Sequence, residues 1–221
     1  LELVAKIIPN VFLAALPVMV YLTSREIGSK HNAPLFSAVI ASSLPVLFAT
    51  NAFTPLSLFL PLIVLTIYAY LKRSDKKYSW IYVGAFFAAS LTSAATFLLV
   101  MGFGIYLLLG ALERRTILSE EREMILFSVF FFLWSQLLFF KEVLIRDGPR
   151  FIWQNIPPQI LDTYFPSLSI ADSLVLVSVI PFVAGIYVVY QSLFRVKNNN
   201  TFLMISFAVS TTLLAWLRFI P

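Results

Sequence analysis

The feature that most limits this chain is a series of eight apolar runs without a single Asp, Glu, Lys, Arg or His: residues 7–24, 34–50, 55–71, 80–92, 96–112, 124–140, 173–194 and 201–217. Helical runs of about 17 to 25 such residues can cross a hydrocarbon core of about 30 Å. Peptide groups must be hydrogen-bonded within lipid, so helices are the form these runs take. The expected fold is all-α: a polytopic transmembrane helical bundle of about eight spans, forming a single domain over residues 1–221. Composition agrees, with 60% hydrophobic and only 12% charged residues, whereas soluble domains carry about 25% charged residues.

Local signals punctuate the runs. Thr54-Pro55 reads as an N-cap followed by proline at the first helical position. Pro17, Pro45 and Pro61 fall inside runs, where kinks are expected. The uncharged stretch from Trp80 to Leu112 is 33 residues long and would extend about 50 Å as one helix. A break among Thr92–Thr96 divides it in two. Ser119 followed by Glu120 and Glu121 reads as a helix start with acids in its first turn. Glu120, Glu121 and Glu123 are expected together on a solvated face.

The charges fix an orientation. With alternating spans, eleven of the 16 Lys and Arg residues fall on one side, in the segments around Arg25, Lys72, Arg114 and Arg195. The other side receives Lys6, Lys141, Arg146, Arg150 and Arg218. The positive-inside rule makes the first side cytoplasmic. This distribution also accounts for the net charge of +5 without nucleic acid as a partner; membrane lipids are the expected partner instead. Leu1 in place of Met, and the stop at Pro221, lead us to expect a piece of a longer polytopic protein.

The one long polar segment, Lys141–Asp172, is then an outer loop. It contains the Gly148-Pro149 turn and a short amphipathic helix, Gln159–Phe165, suited to the headgroup layer. Two readings of this loop stand side by side. In one it is an interfacial strap, with Trp153 and Tyr164 as an aromatic belt. In the other, Arg146, Asp147, Arg150, Trp153, Gln154 and Asn155 line a wall of a substrate-binding site for a lipid-linked phosphate. Guanidinium forks suit phosphate, indole suits a sugar face or isoprenoid, and amides suit hydroxyls.

Other chemistry finds little support. Zero cysteines exclude thiolate catalysis and Cys-based zinc sites. His31 is the sole histidine and falls in a predicted cytoplasmic loop, so no His-based triad or multi-histidine metal site is expected, and no metal ligand is assigned. Gly102 and Gly104 are expected to serve helix packing. Spans free of ionisable residues disfavour an ion-coupled transporter.

The opening residues 8–73 carry a resemblance. Tyr21 to Glu26 forms a Tyr-x-x-x-Arg/Lys-Glu segment, Leu44-Pro45 ends the next run, and Lys72-Arg73 closes the third. With the later segments GPRFIWQNIPPQILDTYF and VIPFVAGIYVVYQSLF, this pattern resembles the polytopic glycosyltransferases of the GT-C superfamily. In particular it looks like archaeal relatives of the oligosaccharyltransferase catalytic subunit and of the protein mannosyltransferases. The resemblance implies a membrane glycosyltransferase that takes a sugar from a polyprenyl-phosphate-linked donor on the outer face of a prokaryotic plasma membrane. It also implies a divalent metal, Mg²⁺ or Mn²⁺. The acidic motif of such enzymes lies between their first and second helices, and this chain begins at the second, so the catalytic base and metal ligands fall outside it. Arg218 corresponds to a cation that such enzymes place near the donor phosphate. The alternatives are a non-catalytic scaffold with GT-C-like helices or a lipid transporter.

Overall fold

The computed structural model describes residues 2–27, 32–43, 55–93, 96–147 and 198–219, with a few helical positions between 183 and 190. Seven helices can be bounded among them: α1 (Glu2–Glu26), α2 (Ala33–Ser42), α3 (Pro55–Leu71), α4 (Lys76–Thr92), α5 (Phe97–Leu112), α6 (Ser119–Asp147) and α7 (Asn199–Phe219). The described residues contain no strand.

Several boundaries follow from local chemistry. Pro55 opens α3, where its missing N–H costs nothing because the first-turn donors have no partner within the helix. Asp75 is extended and caps α4, its Oδ1 accepting from the Lys77 N–H at 3.0 Å. The Trp80–Leu112 stretch is divided: α4 ends at Thr92, Ser93 is extended, and α5 begins at Phe97. Arg114 ends α5 with φ 53°. Its N–H donates to the Ala111 carbonyl at 3.2 Å, and that of Arg115 to the Gly110 carbonyl at 2.9 Å. This is the Schellman arrangement, with arginine where glycine is usual.

Several helices exceed their apolar runs, α1 and α6 the most. α1 takes in Arg25 and Glu26, and α6 continues through Lys141–Asp147, into the stretch expected as outer loop. Lys, Glu, Leu and Arg are good helix formers, and the sequence offers no breaker before Gly148-Pro149. Pro45, the amphipathic segment Gln159–Phe165 and most of the run 173–194 lie outside the described residues.

α1 packs on α2 and α3, α3 on α4, α4 and α5 on α6, and α7 on α5. The core between them is aromatic. The Tyr70 and Phe103 rings lie 4.9 Å apart, and Phe103 meets Phe207 edge-on at 5.4 Å. A Cβ on Gly102 would overlap the Phe207 ring, so this glycine lets α7 close on α5. Gly104 has nothing within 4 Å of a Cβ among the described residues, so no packing partner for it is seen there.

The middle of α6 turns polar groups inward and large apolar side chains outward. Its buried face mixes Glu121, Ser128 and Ser135 with Ile125, Phe131 and Phe132, while Leu126, Phe130, Leu133 and Leu137 are exposed. The buried hydroxyls are satisfied within the helix, Ser128 donating to the Met124 carbonyl and Ser135 to the Phe132 carbonyl, each at 2.8 Å. Polar atoms turned inward and large apolar side chains turned outward suit a lipid surround. Among the described residues, Ser119–Phe139 is long and apolar enough by itself to cross a membrane; Ala33–Ser42, Ser57–Leu71 and Phe97–Leu112 are apolar but shorter.

Candidate functional site

The ion pairs among the described residues concentrate in one layer at one end of the bundle. Arg73, just past α3, forms an ion pair with Glu121 in the first turn of α6. Glu121 is fully buried. Its other oxygen, Oε2, accepts from the Tyr106 hydroxyl of α5 at 3.1 Å. Arg73 also donates to the Tyr70 carbonyl at 3.3 Å and lies over the Tyr70 ring. Beneath this pair the Tyr82 hydroxyl meets that of Ser128, joining α4 to α6. The Tyr70 hydroxyl and Arg73 Nε are buried with no hydrogen-bond partner among the described residues.

Two further clusters complete the layer. The Lys72 ammonium pairs with Glu26 of α1 at 3.1 Å and faces the Tyr78 ring at 5.2 Å. Bonding to Glu26 and to the Tyr68 hydroxyl raises the Lys72 pKa above its ordinary value. Arg115 donates from Nε to Glu113 Oε2 and from Nη1 to Asn199 Oδ1, both at 3.1 Å, with its plane 4.0 Å from the Phe202 ring centroid. Asn200 donates to the Glu26 carbonyl at 3.3 Å. Glu113, Arg114, Arg115, Thr116 and Asn199 line an open cleft of about 400 Å³.

These contacts bring together the C-terminal ends of α1, α3 and α5 and the N-terminal ends of α6 and α7. The described cations of the predicted cytoplasmic loops therefore occupy one end of the molecule. Chemically the layer is a fastening. Both oxygens of Glu121 are engaged, so it is not placed as a proton acceptor for a substrate.

The residues expected to bind substrate fall elsewhere. Arg146 and Asp147 are in the last turn of α6, and Arg218 is near the end of α7. At 1.5 Å per residue these positions lie about 37 Å beyond Glu121 and about 28 Å beyond Asn199, away from the polar layer. Arg150, Trp153, Gln154 and Asn155 lie outside the described residues. Among the described residues no three His, Cys, Asp or Glu side chains gather in a way that could hold a metal ion.

The solvated face expected of Glu120, Glu121 and Glu123 is corrected at one position: Glu120 and Glu123 are exposed, whereas Glu121 is buried. Its spacing is the overlooked signal. Glu121, Ile125, Ser128, Phe132 and Ser135 are all buried and recur every three or four residues, placing the carboxylate on the inward stripe.

Buried polar groups on α6, its outward apolar face and the cations of several helix ends gathered in one layer are the features of a helical membrane protein. Residues 2–139, from α1 into α6, match the dolichyl-phosphate-mannose-protein mannosyltransferase family. That span is well over half of the chain, and the chain belongs to this family, a GT-C type of integral-membrane glycosyltransferase that uses polyprenyl-phosphate sugar donors. No curated protein and no solved structure matches it significantly.

Proposed function

We propose that the protein transfers a sugar from a polyprenyl-phosphate-linked donor on the outer face of the membrane, at the end of the bundle opposite the polar layer. Membership of the mannosyltransferase family carries this reading. The direction of α6 and α7 supports it, because both helices start in the polar layer and run toward the positions of Arg146 and Arg218. The orientation is that of the positive-inside rule, with the polar layer cytoplasmic and eight spans in all.

In the proposed reaction the acceptor oxygen attacks the anomeric carbon of the donor. The bond from that carbon to the lipid phosphate breaks, the glycosidic bond forms, and the acceptor proton passes to a carboxylate base. The leaving phosphate gains charge as the bond breaks, and guanidinium groups placed around it lower the barrier. Arg146, Arg150 and Arg218 take this role, with Lys141 assisting, while Asp147, Trp153, Gln154 and Asn155 hold the sugar and isoprenoid. A divalent metal, Mg²⁺ or Mn²⁺, belongs to the same reading. The described residues offer no ligand set for it, and no step is assigned to it.

Arg146→Gln, Arg150→Gln and Arg218→Gln in the full-length protein test the assignment. Each is expected to lower the transfer rate at least tenfold with the fold intact. Rates equal to the unsubstituted protein in all three would contradict it.

A further inference from the structure

We propose that the cleft between the end of α5 and the start of α7 binds the phosphate of an anionic lipid headgroup. The cleft is lined by Glu113, Arg114, Arg115, Thr116 and Asn199. Arg115 is held there from three sides, by Glu113, by Asn199 and by the Phe202 ring. Its Nη2 has no bond among the described residues. Glu113 is offset by Arg115, so Arg114, exposed and in no ion pair among the described residues, leaves the cleft with a net positive charge. Asn199 turns its oxygen to Arg115, which keeps its NH2 group as a donor. The first-turn N–H groups of α7 add partial positive charge beside it. Guanidinium, amide and hydroxyl donors around a concave, net positive site fit a phosphate diester.

The rim favours a lipid over a free anion. Leu108 and Leu112, four residues apart on α5 and leading up to the cleft, are 59% and 72% exposed, and Leu118 just beyond it is 55% exposed. A headgroup seated between Arg114 and Asn199 would place its acyl chains along this apolar stripe. A soluble anion would leave the stripe unused. Basic clefts at the ends of membrane helices suit such headgroups. The proposal does not depend on the transferase reading, because the cleft lies at the opposite end from the arginines assigned to the donor.

The test uses full-length protein, purified in neutral detergent and stripped of lipid, titrated with phosphatidylglycerol, phosphatidylcholine or inorganic phosphate. Binding is read by native mass spectrometry and by the shift in Tm. The variants are R114G, which removes the cation at a backbone position glycine prefers, and R114K, which keeps the charge. Phosphatidylglycerol is expected to bind and to raise Tm more than phosphatidylcholine does. R114G is expected to weaken phosphatidylglycerol binding about tenfold, the scale of one charge-assisted contact, and R114K to retain most of it. Unchanged binding in R114G, equal binding of phosphatidylcholine, or full reproduction of the Tm shift by inorganic phosphate would each overturn the proposal.

Discussion

Arg73 and Glu121 are 48 residues apart in the chain, yet they form the buried ion pair that ties the end of α3 to the start of α6. Glu121 is wholly enclosed, and the Arg73 side chain is 11% exposed. Removing one partner of such a pair strands the other charge away from water. Glu121→Gln should therefore destabilise the protein by about 3 kcal/mol, while Glu120→Gln and Glu123→Gln should each change stability by less than about 0.5 kcal/mol. Thermal unfolding in detergent measures all three. Equal effects would mean that Glu121 is solvated after all.

Gly102 and Gly104 provide a comparison of sign on one helix. Gly102→Ala sets a methyl group into the Phe207 ring and should cost about 1 to 3 kcal/mol through displacement of α7. Gly104→Ala meets nothing within 4 Å among the described residues and should stabilise α5 by up to about 1 kcal/mol, the helix preference of alanine over glycine. The double variant Gly102→Ala/Phe207→Leu should recover part of the loss. The check is the order of melting temperatures, with Gly104→Ala highest.

Arg114 adopts φ 53° at the end of α5, a conformation that costs an L-residue about 1 kcal/mol. Arg114→Gly should raise the stability of lipid-free protein by about that amount. A fall in Tm would show that the Arg114 side chain contributes more to the fold than its exposure implies.

The Lys72 pair sets a limit at high pH. Its pKa is raised in the folded state, chiefly by bonding to Glu26, from the ordinary 10.5. The contribution of this ammonium is therefore fully present below pH 10.5 and is lost as pH rises through its folded-state value. Lys72→Met should flatten the stability profile in that alkaline window and leave its shape near neutrality unchanged. A pH titration of Tm for both proteins measures this.

Much of the fold can be read from the sequence where the cause is local. Pro55 opens α3, Ser119 with its two acids opens α6, and the small and hydroxylated residues after Thr92 mark the division between α4 and α5. The cations of the predicted cytoplasmic loops that are described do gather at one end. The misreading of Glu121 arose where the cause is distant. A carboxylate between Glu120 and Arg122 looks solvated until Arg73 and Tyr106 arrive from other helices. Likewise, the continuation of α6 through Asp147 depends on helix-forming residues that a hydropathy count treats only as polar. The cleft at Arg114 could not be anticipated, since it forms where α7 meets α5.

The central claim is tested most directly in proteoliposomes holding the full-length protein in one orientation, with a panel of polyprenyl-phosphate sugar donors and of acceptors supplied outside, with and without Mg²⁺ or Mn²⁺. Transfer of a sugar to an acceptor, confined to vesicles whose polar layer faces the lumen, is the result predicted. Folded protein that transfers no sugar from any of these donors, in either orientation, would contradict the account.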